Sequence, residues 1–121
     1  MTPPDAPLPD ANVAQRAALR DLLGGFLRTQ AIAVAADLGV ADIVGDKPTA
    51  VEEIAPLVDA HPNSLYRVLR LLASLDIFSE AEPRAFVRTP LSDALRSDAP
   101  VSVRHFAMLF AGDAFERFGG G

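Results

Sequence analysis

Apolar positions recur at helical spacing along most of the chain, and the breaks between them fall at proline, glycine and capping residues. Asn12 with Gln15 has the form of a capping box, which predicts a first helix reaching about Leu23, where the pair Gly24-Gly25 interrupts it. From Phe26 to Leu38 a second helix is expected with apolar residues on nearly every side, among them Phe26, Leu27, Ile32, Val34, Ala35 and Leu38. A helix that is apolar all round must be buried all round, and a small domain has few elements with which to do it. A partner chain is therefore expected to cover it.

Gly39 fits a helix C′ cap and Val40 to Val44 a short helical turn. Thr49, with Glu52 three residues on, predicts a second capping box. Ile54 and Leu57 are expected to face inward, with Pro56 kinking or ending that helix. In HPNSLYRVLRLLASLDIF, Pro62 suits a first helical position, and Leu65, Val68, Leu69, Leu72 and Leu75 follow one buried face. Asn63, Arg67, Arg70 and Ser74 share the opposite face. Ile77 to Ser79 and Phe86 to Arg88 flank EAEPRA as a β-hairpin. Thr89-Pro90 caps a short helix with Leu91 and Leu95 inward, and Val101 to Phe118 reads as a last helix. Helix, helix and two-stranded ribbon over residues 49–89 form the layout of a winged helix. The expected fold is mainly α, a winged-helix-like helical domain with a small β-hairpin. Residues 12–118 make the domain. Residues 1–11, with proline at four of the first ten positions, form a disordered leader, and Gly119 to Gly121 a glycine tail or truncated linker.

Half of the 121 residues are hydrophobic, as in a globular chain. Sixteen acidic against eleven basic residues give a net charge of −5, which repels a polyanion unless the cations gather on one face. They do not gather: five arginines lie between His61 and Arg96 against four acidic residues, with Glu80 and Glu82 on the ribbon beside Arg84 and Arg88. Without cysteine, thiolate chemistry and Cys-based zinc sites are excluded. The histidines, His61 and His105, lack a metal-ligand constellation, Glu52-Glu53 suits a helix N-terminus, and no nucleophile stands with its base. No catalytic, cofactor or metal residue is expected in this chain. Neither a signal segment nor a membrane span is present in the sequence, so a cytoplasmic location is expected.

In order along the chain, GFLRTQAIAVAADLGVADIV, TAVEEIA, HPNSLYRVLRLLASLDIF and FVRTPLSDALRSD resemble the N-terminal dimerisation domain of the S-adenosylmethionine-dependent small-molecule O-methyltransferases. That family includes plant caffeic acid and flavonoid enzymes and bacterial enzymes that tailor polyketides and other natural products. The resemblance implies a domain that interlocks with its copy in a homodimer and serves as wall and lid for an aromatic or polyketide acceptor. It also implies that methyl transfer belongs to a second, Rossmann-like domain with a glycine-rich cofactor turn and a general-base histidine. No GxGxG-type turn after a strand occurs here, so the chain alone is not expected to methylate anything, and S-adenosylmethionine belongs to the full-length enzymes. FAMLFAGD resembles the family's substrate-lining segment and implies Met108, Phe110 and Ala111 as pocket wall; GGFLRTQ resembles the segment presented to a partner's pocket and implies Phe26. His61 stands where many relatives have an aspartate cap. Two further readings remain: a winged-helix DNA-binding regulator using Arg67 and Arg70, and a stand-alone dimer that binds an apolar ligand.

Overall fold

Helix α1 runs unbroken from Pro9 to Leu38, about 45 Å at 1.5 Å per residue. The computed structural model describes residues 9–112, with side chains from Asn12 onward. Two expectations are corrected here. Pro9, whose fixed φ suits a first helical turn, opens the helix ahead of Asn12, so residues 9–11 are helical; the rest of the expected leader lies outside the described residues. The interruption at Gly24-Gly25 is also absent. Glycine weakens a helix by about 1 kcal/mol but keeps its N–H in the ladder. Side chains cross the pair as well: Arg28 donates to the Asp21 carbonyl at 3.4 Å, and Thr29 Oγ1 to the Gly25 carbonyl at 3.0 Å.

The stretch expected to need a partner is covered by its own chain. Ala31, Ala33, Val34, Ala35 and Ala36 are all at most 1% exposed, because this half of α1 packs against α3 (Pro62–Ala73) on one side and α5 (Arg104–Met108) on another. The alanines let both neighbours approach closely. Apolar residues left open lie earlier in the helix, at Val13, Leu19, Leu22, Leu23, Phe26 and Leu27. The helix ends as expected at Gly39, whose φ of 75° sends its N–H to the Ala35 carbonyl at 3.0 Å. A 3₁₀ turn, Val40–Asp42, follows.

Strand β1 (Thr49–Ala50) leads into α2 (Val51–Leu57), then α3, then the hairpin β2 (Ser79–Glu82) and β3 (Ala85–Val87). The sheet has three strands in the order β1-β3-β2, both pairings antiparallel. The hairpin is present, but its first strand starts at Ser79 rather than Ile77. α3 closes in a Schellman turn, with Asp76 at φ 61° and the Ile77 N–H on the Leu72 carbonyl at 2.9 Å. That turn uses Ile77 and drives Phe78, at φ 115°, fully into the core. Thr49 does not cap α2. Its backbone pairs with Phe86 in β1, so Ala50 takes the cap position and Glu52 turns to Arg84 instead.

Leu57 and Leu91 are exposed rather than inward. In α2 the buried seam runs through Val51, Ile54, Ala55 and Val58, a run of i, i+3, i+4 and i+7 that leaves Leu57 outside. Thr89 does cap α4 (Pro90–Asp93), in a reciprocal pair with Ser92, and Leu95 is buried. The last helix is shorter than expected. It occupies Arg104–Met108, after which Leu109, Phe110 and Ala111 bond three residues back rather than four, and Gly112 turns at φ 46°. Residues 113–118 of the expected helix, and the glycine tail, lie outside the described residues. Phe78, Phe86, Ile54, Leu65, Leu69 and Leu72 are the largest fully buried side chains, so the core sits between α3, the sheet and the second half of α1.

Candidate functional site

Two regions of this fold could meet a partner or ligand. The first is the outer face of α3 with the hairpin, where a winged helix would meet DNA. Its cations are engaged within the chain. Arg84 Nε lies 2.6 Å from Glu52 Oε1, Nη2 donates to Asn63 at 3.3 Å, and the guanidinium stacks 4.5 Å from the Tyr66 ring centroid. Arg88 Nε is 2.8 Å from Asp46, and the Arg70 guanidinium lies over the Tyr66 ring, 5.7 Å from its centroid. Hydrogen bonding from Arg84 holds the Glu52 carboxyl below its ordinary value. Exposed Glu82 lies nearby on the ribbon, where a phosphate would have to approach. This face is built for internal ion pairs, and a DNA-reading role is not favoured.

At its centre Tyr66 donates to Glu80 Oε2 at 2.7 Å, and the Arg84 backbone N–H donates to the same oxygen at 2.8 Å. Tyr66 thereby ties α3 to the hairpin, and its ring meets Phe86 edge to face at 6.0 Å. Both bonds, the tyrosine's first, hold the Glu80 carboxyl below its ordinary value; the same contact with Glu80 raises the Tyr66 hydroxyl. A depressed carboxyl contributes stability that is complete above the unfolded-state value and is lost as pH falls through the folded-state value. Melting temperature should therefore fall as pH drops below the ordinary glutamate value, the hairpin loosening first. A melting series from about pH 6 to about pH 3 on Glu80→Gln should show a shallower acid slope than the parent; equal slopes would mean that this contact is silent.

The second region flanks α1. Thr29 and Ile32 of α1 face Val103, Phe106, Ala107 and Phe110 across an apolar cleft of about 190 Å³. Phe106 and Phe110 meet edge to face at 5.4 Å. Thr29 spends its hydroxyl proton on the Gly25 carbonyl, so the lining offers little polarity. Ile32 and Val103 also border a neighbouring hollow of about 180 Å³ with Ile77, Leu91, Ala94 and Leu95. Leu91, unexpectedly exposed, belongs to this trough. Farther along α1, Leu19, Leu22, Leu23 and Phe26 stand at i, i+3, i+4 and i+7 and are each more than half exposed, forming one apolar face open to solvent.

Of the residues that the sequence suggests for a site, Phe110 lines the cleft. Met108 packs partly buried against the core, Ala111 is 7% exposed, and Phe26 lies on the open face of α1. Phe26 stands one helical turn before Gln30, the residue that donates to the Phe110 carbonyl. Sequence reasoning missed Thr29, Ile32, Val103 and Phe106. Their signal was spacing: Val103, Phe106, Ala107 and Phe110 recur at i, i+3, i+4 and i+7, but nothing local told a cleft wall from a core stripe. Among the described residues no cluster of potential metal ligands exists, and no helix is long and apolar enough to cross a membrane.

Comparison with known proteins gives a consistent answer. The family model for the O-methyltransferase dimerisation domain matches residues 20–98. The chain is 44% identical over 91 residues to the phenazine O-methyltransferase PhzM of Lysobacter antibioticus, covering 75% of this chain and 27% of that protein. It is 31% identical over 102 residues to the 3-amino-4-hydroxybenzoate 4-O-methyltransferase of Streptomyces cremeus, covering 84% and 28%. Among solved structures, LaPhzM superposes with a TM-score of 0.76 at 38% identity, over 87% of this chain and 32% of that one. CalO1, a methyltransferase in calicheamicin biosynthesis in its SAH-bound form, gives 0.73 at 36% identity, over 81% and 29%. The chain spans less than a third of the length of these relatives.

Proposed function

Because the chain belongs to the family of O-methyltransferase dimerisation domains, we propose that it pairs with a second copy through the open face of α1 and supplies part of an acceptor wall. In this reading it works beside a cofactor-binding domain that moves a methyl group from S-adenosylmethionine to a hydroxyl oxygen of a planar aromatic or polyketide acceptor. The observation that carries the reading is the row Leu19, Leu22, Leu23 and Phe26. Exposed apolar residues at this spacing form a face that water penalises at about 25 cal/mol per Å², and a two-fold axis covers the same face on both copies at once.

Methyl transfer needs the acceptor held in line and water kept out. The cleft suits the first task through the flat Phe106 and Phe110 rings, which favour stacking and edge contacts with a planar partner. Met108 and Ala111 lie behind that wall and support it, and Phe26, on the pairing face, reaches toward the other copy. The described residues do not fit S-adenosylmethionine. Their strands form one short antiparallel sheet, and the Gly24-Gly25 pair lies inside a helix rather than in a strand-to-helix turn. A cytoplasmic location belongs to the same reading.

Light scattering on the purified chain at micromolar concentration should give twice the 12.8 kDa chain mass. A folded species that keeps the 12.8 kDa monomer mass throughout a concentration series would overturn the pairing.

A further inference from the structure

The wall of the cleft is carried by a segment that apolar burial holds only weakly. Val103, Phe106, Leu109 and Phe110 are all exposed, and the side chains that α5 and its last turn bury are the small Ala107 and Ala111, with Met108 partly covered. Side-chain hydrogen bonds tie this segment to α1 among the described residues. Gln30 Nε2 donates to the Phe110 carbonyl at 2.9 Å, and Arg104 Nε donates to the Ala36 carbonyl at 2.8 Å. They join residues 80 and 68 positions apart in the chain. Gln30 meets Phe110 and Ala36 meets Arg104, so the segment runs antiparallel to the end of α1. On α1 the two ties stand six residues apart, about 9 Å along the axis, and Ile32 of the cleft lies between them.

We infer that Gln30 and Arg104 are the positioning residues of this wall, a pair of polar clamps that fix the distance between the Phe106 and Phe110 rings and α1. Each is suited to its end. Gln30 is 6% exposed, and a buried amide that keeps its bond defines one geometry, since losing the bond leaves polar groups unpaired. Arg104 lies at the C-terminal turn of a 30-residue helix, where carbonyls lack intrahelical partners and the dipole favours a cation. Asp42, whose carboxyl is hydrogen-bonded by Ser97 and lies within the field of Arg104 and Arg96, adds a counter-charge beside it. Gly39 is required there by its φ of 75° rather than by space, since a Cβ would stand at an ordinary contact distance of 3.5 Å from the Arg104 guanidinium. The cleft is thus set by specific bonds at its two ends, and its width tolerates little change in either donor.

This inference takes its functional meaning from the acceptor-wall reading, and the two are tested by separate readouts on the 121-residue chain. Cleft geometry is read by proton cross-relaxation between the Phe110 ring and the Ile32 methyls; ligand capacity is read by titrating 1-naphthol, a planar aromatic alcohol, against the Ile32 and Val103 methyl signals. In the parent protein the cross-relaxation should be present and naphthol should shift both methyls saturably. Gln30→Leu and Arg104→Met should keep the melting curve cooperative and the mass unchanged, yet weaken the cross-relaxation and raise the naphthol Kd at least fivefold. Arg104→Lys, which retains a cationic donor, should recover part of the loss and serves if Arg104→Met fails to fold. Variants that keep both the parent cross-relaxation and the parent Kd would overturn the clamps while leaving the wall. Cross-relaxation lost in the variants, with no naphthol binding to the parent, would leave the clamps and sink the acceptor wall.

Discussion

Ala35→Glu is expected to leave no folded protein in solution at any concentration. The residue is 1% exposed and belongs to the core cluster with Val34 and Ala36, enclosed by neighbours from its own chain. Four extra heavy atoms overpack a site that is 1% exposed, and a carboxylate without a partner is costly to bury. Mutations that combine overpacking with a buried unpaired charge reach about 4–5 kcal/mol or more, against a total of about 5–15 kcal/mol for a domain. Loss of the far-ultraviolet helical signal and of amide dispersion would be the readout. A folded, monomeric Ala35→Glu would instead mean that this face is an interface between copies, as the bare hydrophobic pattern suggests.

Changing Leu23 and Phe26 together to glutamate should have the opposite outcome, an intact fold and half the mass. These side chains are 64% and 59% exposed, and glutamate is a good helix former, so the substitutions do not disturb the core. Placed on a face that pairs about a two-fold axis, the four carboxylates of two copies would be brought together and stripped of water, which repels association strongly. Light scattering and a thermal melt on the same sample separate the two effects. A double variant that still shows the parent's doubled mass would remove α1's open face from the pairing and require another surface.

Much of the fold was legible in the chain because it depends on local chemistry. Pro62 and the Leu65, Val68, Leu69, Leu72 row gave α3, Thr89-Pro90 gave α4, and Gly39 gave the end of α1. What was not legible depended on remote contacts. Whether Ala31 to Ala36 is covered by its own chain or by another is decided by α3 and α5, far along the sequence. Thr49 has the identity of a cap, yet β3 claims its backbone. The turns after α2 and α3 place Asp59 and Asp76 at positive φ, a position that glycine would have announced and aspartate does not. The candidate site was half legible for the same reason. Phe110 could be named from the resemblance of its segment, whereas Thr29 and Ile32 join it through bonds from Gln30 and Arg104 that no short pattern encodes. The match to the dimerisation-domain family over residues 20–98 then identifies the family, though that match ends before Phe106 and Phe110.

The glycine pair inside α1 divides one continuous helix into two thermodynamic bodies. From Gln30 onward the helix packs into the core, and amide protons there are expected to exchange only when the whole domain opens. Residues before the glycine pair are anchored by little beyond helical propensity, with a soft spot at Gly24-Gly25, so they open locally at far lower free energy. In the proposed pairing a second copy would meet an arm whose order is completed by association itself, and part of the binding free energy would be consumed in freezing it. Pairing would then be weaker per unit of buried area than between rigid faces, and correspondingly easier to reverse.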